Sequence, residues 1–264
     1  MSAKLLGKVV LITGASSGLG EEIAYESAKK QATLVLCARN INKLQRVADV
    51  CHSLSKQPVY VISLDISNYD SVMKAIAVVK ETVCHVDILV NNAGVGLFTN
   101  FLDMSYEDMK KMMSVNVLGL MTLTQHIALM MAKVGSGHII NIASQAGKMA
   151  TPKSSVYSAS KFAVIGFSNA LRLEVKPLGI KVTTINPGPI KTNFFETADP
   201  TGNYLENIGK MAIEPAYLAR KIVSIYGKSK REINTPFIME MGSIGYHLFP
   251  KLGDYLAGSL FNKK

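Results

Sequence analysis

Tyr157 and Lys161 stand four positions apart in Tyr157-Ser158-Ala159-Ser160-Lys161. The stretch falls near the start of a predicted helix, so both side chains share one face. An ammonium beside a phenol favours the phenolate and draws its pKa from about 10 toward neutrality. Proton exchange with a carbonyl or alcohol oxygen needs such a group. Ser144 directly follows a predicted strand, where its hydroxyl can hydrogen-bond a substrate carbonyl oxygen. Asn116, in Val115-Asn116-Val117-Leu118-Gly119, is an amide on an otherwise apolar helical face. It must find partners or cost stability, in a core role or a functional one. Taken singly, each has an ordinary alternative: a surface pair for Tyr-x-x-x-Lys, and a strand-end turn for the serine.

Upstream residues suggest a redox partner. Thr13-Gly14-Ala15-Ser16-Ser17-Gly18-Leu19-Gly20 joins a predicted first strand to a helix. Glycines at such a place allow a tight turn and let the backbone approach a pyrophosphate. The helix N-terminus then points its amides at the phosphates. A purely structural turn is the alternative. An NAD site carries an acid about 20 residues past the glycines, to hold the ribose 2′-hydroxyl. Here that place reads Cys37-Ala38-Arg39-Asn40 and has no acid. Arg39 offers a permanent planar cation suited to a 2′-phosphate, so NADP(H) is the expected cofactor. A solvated arginine at a strand end is the other reading. Leu64-Asp65-Ile66 ends a third strand, where the carboxylate either reaches an adenine amino group or caps the next helix. Asn91-Asn92-Ala93-Gly94 ends a fourth. It forms either a wall against an adenosine or an ordinary turn.

The elements that must position these residues alternate along the chain. Strands are predicted at 8–13, 34–38, 59–64, 88–91, 137–143 and 180–185. Helices are predicted at 19–30, 42–54, 67–83, 106–131 and 155–176. Ser67-x-x-Asp70 reads as a capping box opening the third helix. Val-, Ile- and Leu-rich strands separated by helices imply an α/β fold with a doubly wound parallel sheet, buried on both faces. In such sheets ligands lie beyond the carboxyl ends of the strands, where all these motifs fall.

Composition narrows the class. A chain of 264 residues suits one large α/β domain. Cys37, Cys51 and Cys84 form no CxxC pair, which disfavours a disulfide framework and fits a reducing compartment. The five histidines show no metal spacing, so no metal is expected. No signal peptide and no apolar run of bilayer-spanning length is read, which gives a cytoplasmic expectation. The net charge of +10 is spread over dispersed lysines, and nucleic acid is not needed to explain it.

Together the motifs resemble the short-chain dehydrogenase/reductase family in its short single-domain branch, from about Gly7 to about Thr192. The resemblance implies one NADP(H)-binding Rossmann domain over 1–264. It makes Tyr157 the acid/base and gives Lys161 two tasks, lowering the tyrosine pKa and binding the nicotinamide ribose. Ser144 polarises the carbonyl, and Asn116 holds a water in a proton relay. Gly14, Ser16, Ser17, Gly18, Leu19 and Gly20 take the pyrophosphate turn, with Arg39 and Asn40 at the 2′-position. Asp65 and Ile66 lie at the adenine, and Asn92, Ala93 and Gly94 at the adenosine ribose. Pro187-Gly188-Pro189-Ile190-Lys191-Thr192 matches the Pro-Gly-x-x-x-Thr that holds the carboxamide. The implied activity is hydride transfer between NADP(H) and a small, apolar carbonyl or alcohol. A 3-oxoacyl thioester reductase and an idle NADP-binding regulator or scaffold are the alternatives.

Beyond Thr192 the likeness fades. Residues 193–210 are expected to form the substrate lid. Phe194, Phe195 and Tyr204, with Val95, Leu97 and Phe98, either line an apolar pocket or simply pack the lid. A last strand at 231–237 leads to an extra tail at 239–264. There Phe249, Leu252, Leu256 and Leu260 recur at helical steps, Leu248 and Tyr255 widen the face, and Pro250 marks the helix start. That face is expected to pack on a subunit, giving a homo-oligomer with a dimer favoured; peripheral membrane contact is the alternative.

Overall fold

Every residue of Val9–Thr13 is buried, as a strand covered on both faces requires. A computed structural model describes residues 5–199 and 212–260. Its strands are Val9–Thr13 (β1), Thr33–Ala38 (β2), Val59–Ser63 (β3), Ile88–Asn91 (β4), Gly137–Ile142 (β5), Ile180–Pro187 (β6) and Glu232–Thr235 (β7). They form one sheet in the order β3-β2-β1-β4-β5-β6-β7, with every pairing parallel. Alternate residues serve opposite faces. Val10, Ile12, Leu34 and Leu36 belong to one core cluster, and Val9, Leu11 and Val35 to the other.

Helices cover both faces: Gly18–Ala28 (α1), Ile41–Ser55 (α2), Tyr69–Thr82 (α3), Tyr106–Met113 (α4), Leu120–Val134 (α5) and Ser155–Val175 (α6). Phe194–Ala198 (α7), Pro215–Val223 (α8), Phe237–Leu248 (α9) and Pro250–Leu260 (α10) follow. The sequence reading left α8 and α9 unassigned. Leu218, Ala219 and Ile222 of α8 are fully buried beside α1 residues Ile23 and Ala24.

Four further readings are corrected. Ser67 does not open the third helix, because Asp65 takes both its amide (3.0 Å) and its hydroxyl (2.7 Å). Asn68 caps instead, accepting from Ser71 N at 2.9 Å. The long helix at 106–131 is interrupted by a wide, π-type turn at Ser114–Gly119. There Asn116 is drawn to the β4 loop, described below. The last strand stops at Thr235, because a cis Thr235–Pro236 bond turns the chain straight into α9. Finally, Tyr106–Val134 is long and apolar enough to span a bilayer, which the sequence reading missed; half of its most apolar stretch is buried, against the sheet.

A polar seam crosses the core beneath the strand ends. Asn91 Nδ2 donates to Thr124 Oγ1 and to Asn141 Oδ1, both at 2.8 Å, and Asn141 Nδ2 donates to Ser168 Oγ at 2.9 Å. The seam ties β4 and β5 to α5 and α6. Deeper in β5, buried His138 lies 2.8 Å from Thr183 Oγ1 through Nε2 and accepts from Gly227 N through Nδ1 at 3.0 Å.

After β7 the chain forms a helical pair. Tyr246 donates to Asp254 at 2.8 Å, and Ala257 is buried. Phe237, Ile244, Leu248, Phe249, Leu252 and Tyr255 are exposed. The tail therefore begins at Phe237 and has two helices, the second starting at Pro250 as read. The Leu260 side chain, Tyr204 and most of the expected lid lie outside the described residues.

Candidate active site

The order of strands reverses between β1 and β4, and the loops leaving these two strands part to form a crevice. Gly14 sits there with φ +64°, and a Cβ on it would lie 2.9 Å from Ala93 Cα. Only glycine lets the two loops meet this closely. Asn92 Nδ2 fastens them, donating to Thr13 O at 3.0 Å and Gly14 O at 3.2 Å. Between these loops and the ends of β2, β3, β5 and β6 lies a cavity of about 500 Å³.

Most of the expected cofactor residues line it: Gly14, Ser16, Ser17, Gly18 and Leu19; Arg39 and Asn40; Asp65 and Ile66; Asn92, Ala93 and Gly94; and Pro187, Gly188, Ile190 and Thr192. Gly20 does not. A Cβ there would meet Gly14 O at 2.3 Å, so this glycine lets α1 pack against the turn behind the cavity. Asn40 caps α2, accepting from Lys43 N at 2.9 Å. Asp65 spends an oxygen on Ser67, whose hydrogen bonds hold its carboxyl below the usual range, with Arg39 adding a smaller pull. These bonds brace the turn ahead of α3 without capping the helix, which Asn68 does, and the residue also faces the cavity.

The floor suits an anion. Ser17, which precedes α1, makes no side-chain capping bond, so the leading amides of α1 have no side-chain partner from it. These amides carry the positive end of the helix dipole. Arg39 is exposed at the rim and forms no hydrogen bond or ion pair with the described residues. The chain's own groups thus fit a dinucleotide phosphate at one end of the cavity and an additional phosphate at Arg39.

Ser144, Tyr157 and Lys161 meet at the other end. Tyr157 and Lys161 are buried on the first turns of α6, with the Lys161 ammonium 5.8 Å from the Tyr157 ring centre. Lys161 Nζ donates to Ile142 O at 3.0 Å. Burial pushes the phenol up to about 12, opposed by a side-chain hydrogen bond with Ser144. Burial also brings the Lys161 ammonium down to about 8. The shift on the phenol is opposite to the expected one. With the ammonium turned toward a strand-end carbonyl, desolvation decides the tyrosine's proton affinity.

Asn116 does not line the cavity. Its Nδ2 donates to Val95 O (2.8 Å) and Ser160 Oγ (3.0 Å), and its Oδ1 accepts from Val95 N at 2.8 Å. Ser160 in turn donates to Tyr157 O at 2.7 Å. The amide ties the β4 loop to α6, satisfying itself where an apolar face would leave it stranded.

The apolar rim combines both readings offered for it. Phe98, Tyr157 and Phe195 share a small core, with the Phe98 ring edge-on to Tyr157 at 5.6 Å and Phe194 at 5.9 Å from it. Val95, Phe98, Phe194 and Phe195 also line the cavity, whereas Leu97 only packs beside it. Sequence reasoning missed Gln145, Met149 and Met239 in the lining. Gln145 Nε2 donates to Asn186 O at 2.9 Å, while its Oε1 has no hydrogen-bond partner among the described residues. Its place beside Ser144 was the available signal. Met239 had none, because its helix was unassigned.

A parallel sheet that reverses between β1 and β4, with Ser, Tyr and Lys at one end of a dinucleotide-sized crevice, defines a Rossmann-type oxidoreductase. The family model described as short chain dehydrogenase matches residues 8–202, and the chain belongs to that family. It is 35% identical over 236 residues to dehydrogenase/reductase SDR family member 7B of Danio rerio, covering 86% of this chain and 76% of that protein. It is 37% identical over 197 residues to an uncharacterized oxidoreductase of Staphylococcus aureus, covering 75% and 84%. Among solved structures, a short-chain dehydrogenase from Sphingobium yanoikuyae in complex with NADPH superposes with TM-score 0.80 at 25% identity, covering 94% and 96% of the two chains. A 3-ketoacyl-(acyl-carrier-protein) reductase from Brucella melitensis complexed with NADH gives 0.79 at 29%, covering 88% and 98%.

Proposed function

We propose that the protein is an NADP(H)-dependent carbonyl reductase or alcohol dehydrogenase acting on a small, apolar substrate. The observation carrying this reading is the convergence of Ser144, Tyr157 and Lys161 at one end of a cavity whose other end holds Arg39, which has no ion-pair partner among the described residues. The bound nicotinamide supplies or accepts hydride. Tyr157 gives its proton to the developing alkoxide, and Ser144 donates a hydrogen bond to the same oxygen. Lys161 lines the same end of the cavity, and its ammonium, held by Ile142 O, orders that end of the site. Asn116 acts by holding the β4 loop against α6. Arg39 selects the 2′-phosphate, a choice on which relatives differ, since the Sphingobium structure holds NADPH and the Brucella structure NADH.

The apolar character of the substrate rests on Val95, Phe98, Phe194 and Phe195 in the lining. Reduction of 3-oxoacyl thioesters is the second reading, supported by the likeness to the Brucella enzyme and by the chain's +10 charge, which suits an acidic carrier. Exposed Leu129, Phe162 and Leu173 on α5 and α6 support a homodimer through those helices. A cytoplasmic setting belongs to the same reading. The test is NADPH oxidation over ketones, aldehydes and acyl thioesters. Turnover of simple ketones supports the first reading, turnover confined to thioesters the second. None at all, with intact NADPH binding, would leave a catalytically idle regulator.

A further inference from the structure

We propose that the outward face of the α9–α10 pair docks on the surface of an anionic lipid bilayer, setting the cavity mouth at the lipid–water boundary. The pair has two unlike sides. Its inner side is fixed to the body: Lys148 holds Glu240, Ser243 and Ala257 are buried, and Met239 lines the cavity. Its outer side presents Phe237 (74% exposed), Leu248 (67%), Phe249 (64%), Leu252 (56%) and Tyr255 (73%). Large exposed apolar side chains concentrated on two consecutive helices mark an interaction surface.

Charge selects the occupant. Of the pair's two acids, Glu240 is neutralised by Lys148, while Asp254 accepts from Tyr246 and keeps its charge. Lys251 is left as the pair's one ionic side chain with no partner among the described residues. The sequence adds Lys263 and Lys264 just beyond, and the whole chain carries +10. An exposed apolar face on a chain of net charge +10 is the pattern that anionic lipid attracts.

Position agrees. Met239 reaches the cavity and contacts the Gly188 turn: a Cβ on Gly188 would lie 2.6 Å from its sulfur. Two residues away, Phe237 and Met241 face outward. A second copy of the chain seated here would wall off that edge, and exposed apolar residues on α5 and α6 already offer a subunit contact. Lipid is fluid and would let apolar molecules pass into the cavity. This last step rests on the apolar-substrate reading above; docking itself does not.

The test uses the full chain. It contains no tryptophan, so Phe249→Trp places a single emitter on the face. The expected result is a blue shift with phosphatidylglycerol vesicles, quenching by brominated lipid, and a weaker response with phosphatidylcholine. In cosedimentation with phosphatidylglycerol vesicles, the Phe249→Glu/Leu252→Glu double variant should bind at least tenfold more weakly while still binding NADPH. Absence of vesicle binding by the wild type, or equal binding by the double variant, overturns the proposal. So does a halved mass of the double variant in light scattering, which would assign the face to a second copy. Vesicle binding by a protein that reduces no carbonyl would leave docking standing and reject the catalytic reading alone.

Discussion

Lys148 Nζ lies 3.0 Å from Glu240 Oε2, joining the turn that carries Ser144 to the first helix of the C-terminal pair. Glu232 of β7 reaches the same ammonium at 3.3 Å, and all three side chains are at least two-thirds buried. Asn186 extends the cluster, donating to Glu232 at 2.9 Å and Asn234 at 2.7 Å. One cation thus neutralises two carboxylates directly behind the Ser144 turn. Lys148→Met would leave them facing each other with little water. The expected loss is about 1–3 kcal/mol of unfolding free energy, below the ~3–5 for breaking a fully buried pair. A fall in kcat larger than any change in the NADPH KM should accompany it, with substantial recovery in Lys148→Arg. Unchanged melting and unchanged kcat would show that the cluster does not support the Ser144 turn.

Tyr157→Phe keeps the ring against Phe98 and removes the proton donor. Fold and cofactor binding should survive, and turnover should fall by about 10²–10⁴-fold, the range for losing acid/base help. Near-normal turnover on a substrate that the wild type reduces would reject the assigned role. Lys161→Met should lower both rate and cofactor affinity, the affinity being read by titration.

Arg39 has no partner to lose among the described residues, so its replacement should leave the melting temperature unchanged. Arg39→Ala should weaken NADPH by about ten- to a hundredfold, the worth of one charge-assisted contact, and leave NADH nearly as before. Equal weakening of both nucleotides would make Arg39 a bystander.

His138 carries a pH dependence. Burial holds its imidazole at about 4, against 6.5 in the open chain. Its Nδ1 accepts from Gly227 N–H, which leaves no room for a proton there. Between these two values the unfolded chain binds the proton and the folded chain does not. The stabilisation is therefore complete above about pH 6.5 and is lost as pH falls toward 4, amounting to about 3 kcal/mol at most. Urea titrations at pH 7 and pH 5 should show the loss in the wild type and a flatter response in His138→Gln. Equal slopes in the two proteins would place the acid sensitivity elsewhere.

The sheet and its site were legible because the physics there is local. Each strand of the first six is a short apolar run ending in a turn; Ser144 falls at such an end, and Tyr157 and Lys161 one turn apart on the helix that follows. The failures arose where another group claims or crowds the residue in three dimensions. Ser67 reads as a cap until Asp65 takes its hydroxyl. Gly20 reads as a phosphate contact until α1 packs on Gly14. The phenol of Tyr157 reads as depressed until burial and the pull of Ile142 O on Lys161 are known. Helix α9 escaped because Phe237-Ile238-Met239-Glu240-Met241 is apolar on nearly every side and shows no clear period.

The polar seam sets the phase of α6. Ser168 follows Tyr157 by eleven residues on α6, about three turns, so the two side chains project in nearly the same direction. Ser168 is pinned to Asn141, and Asn141 to Asn91. A roll of α6 by one residue, about 100°, would strand three buried polar groups and carry the phenol away from Ser144 in the same movement. Misalignment of α6 is thus penalised as misfolding of the core, and any chain that folds holds the Tyr157 phenol toward Ser144.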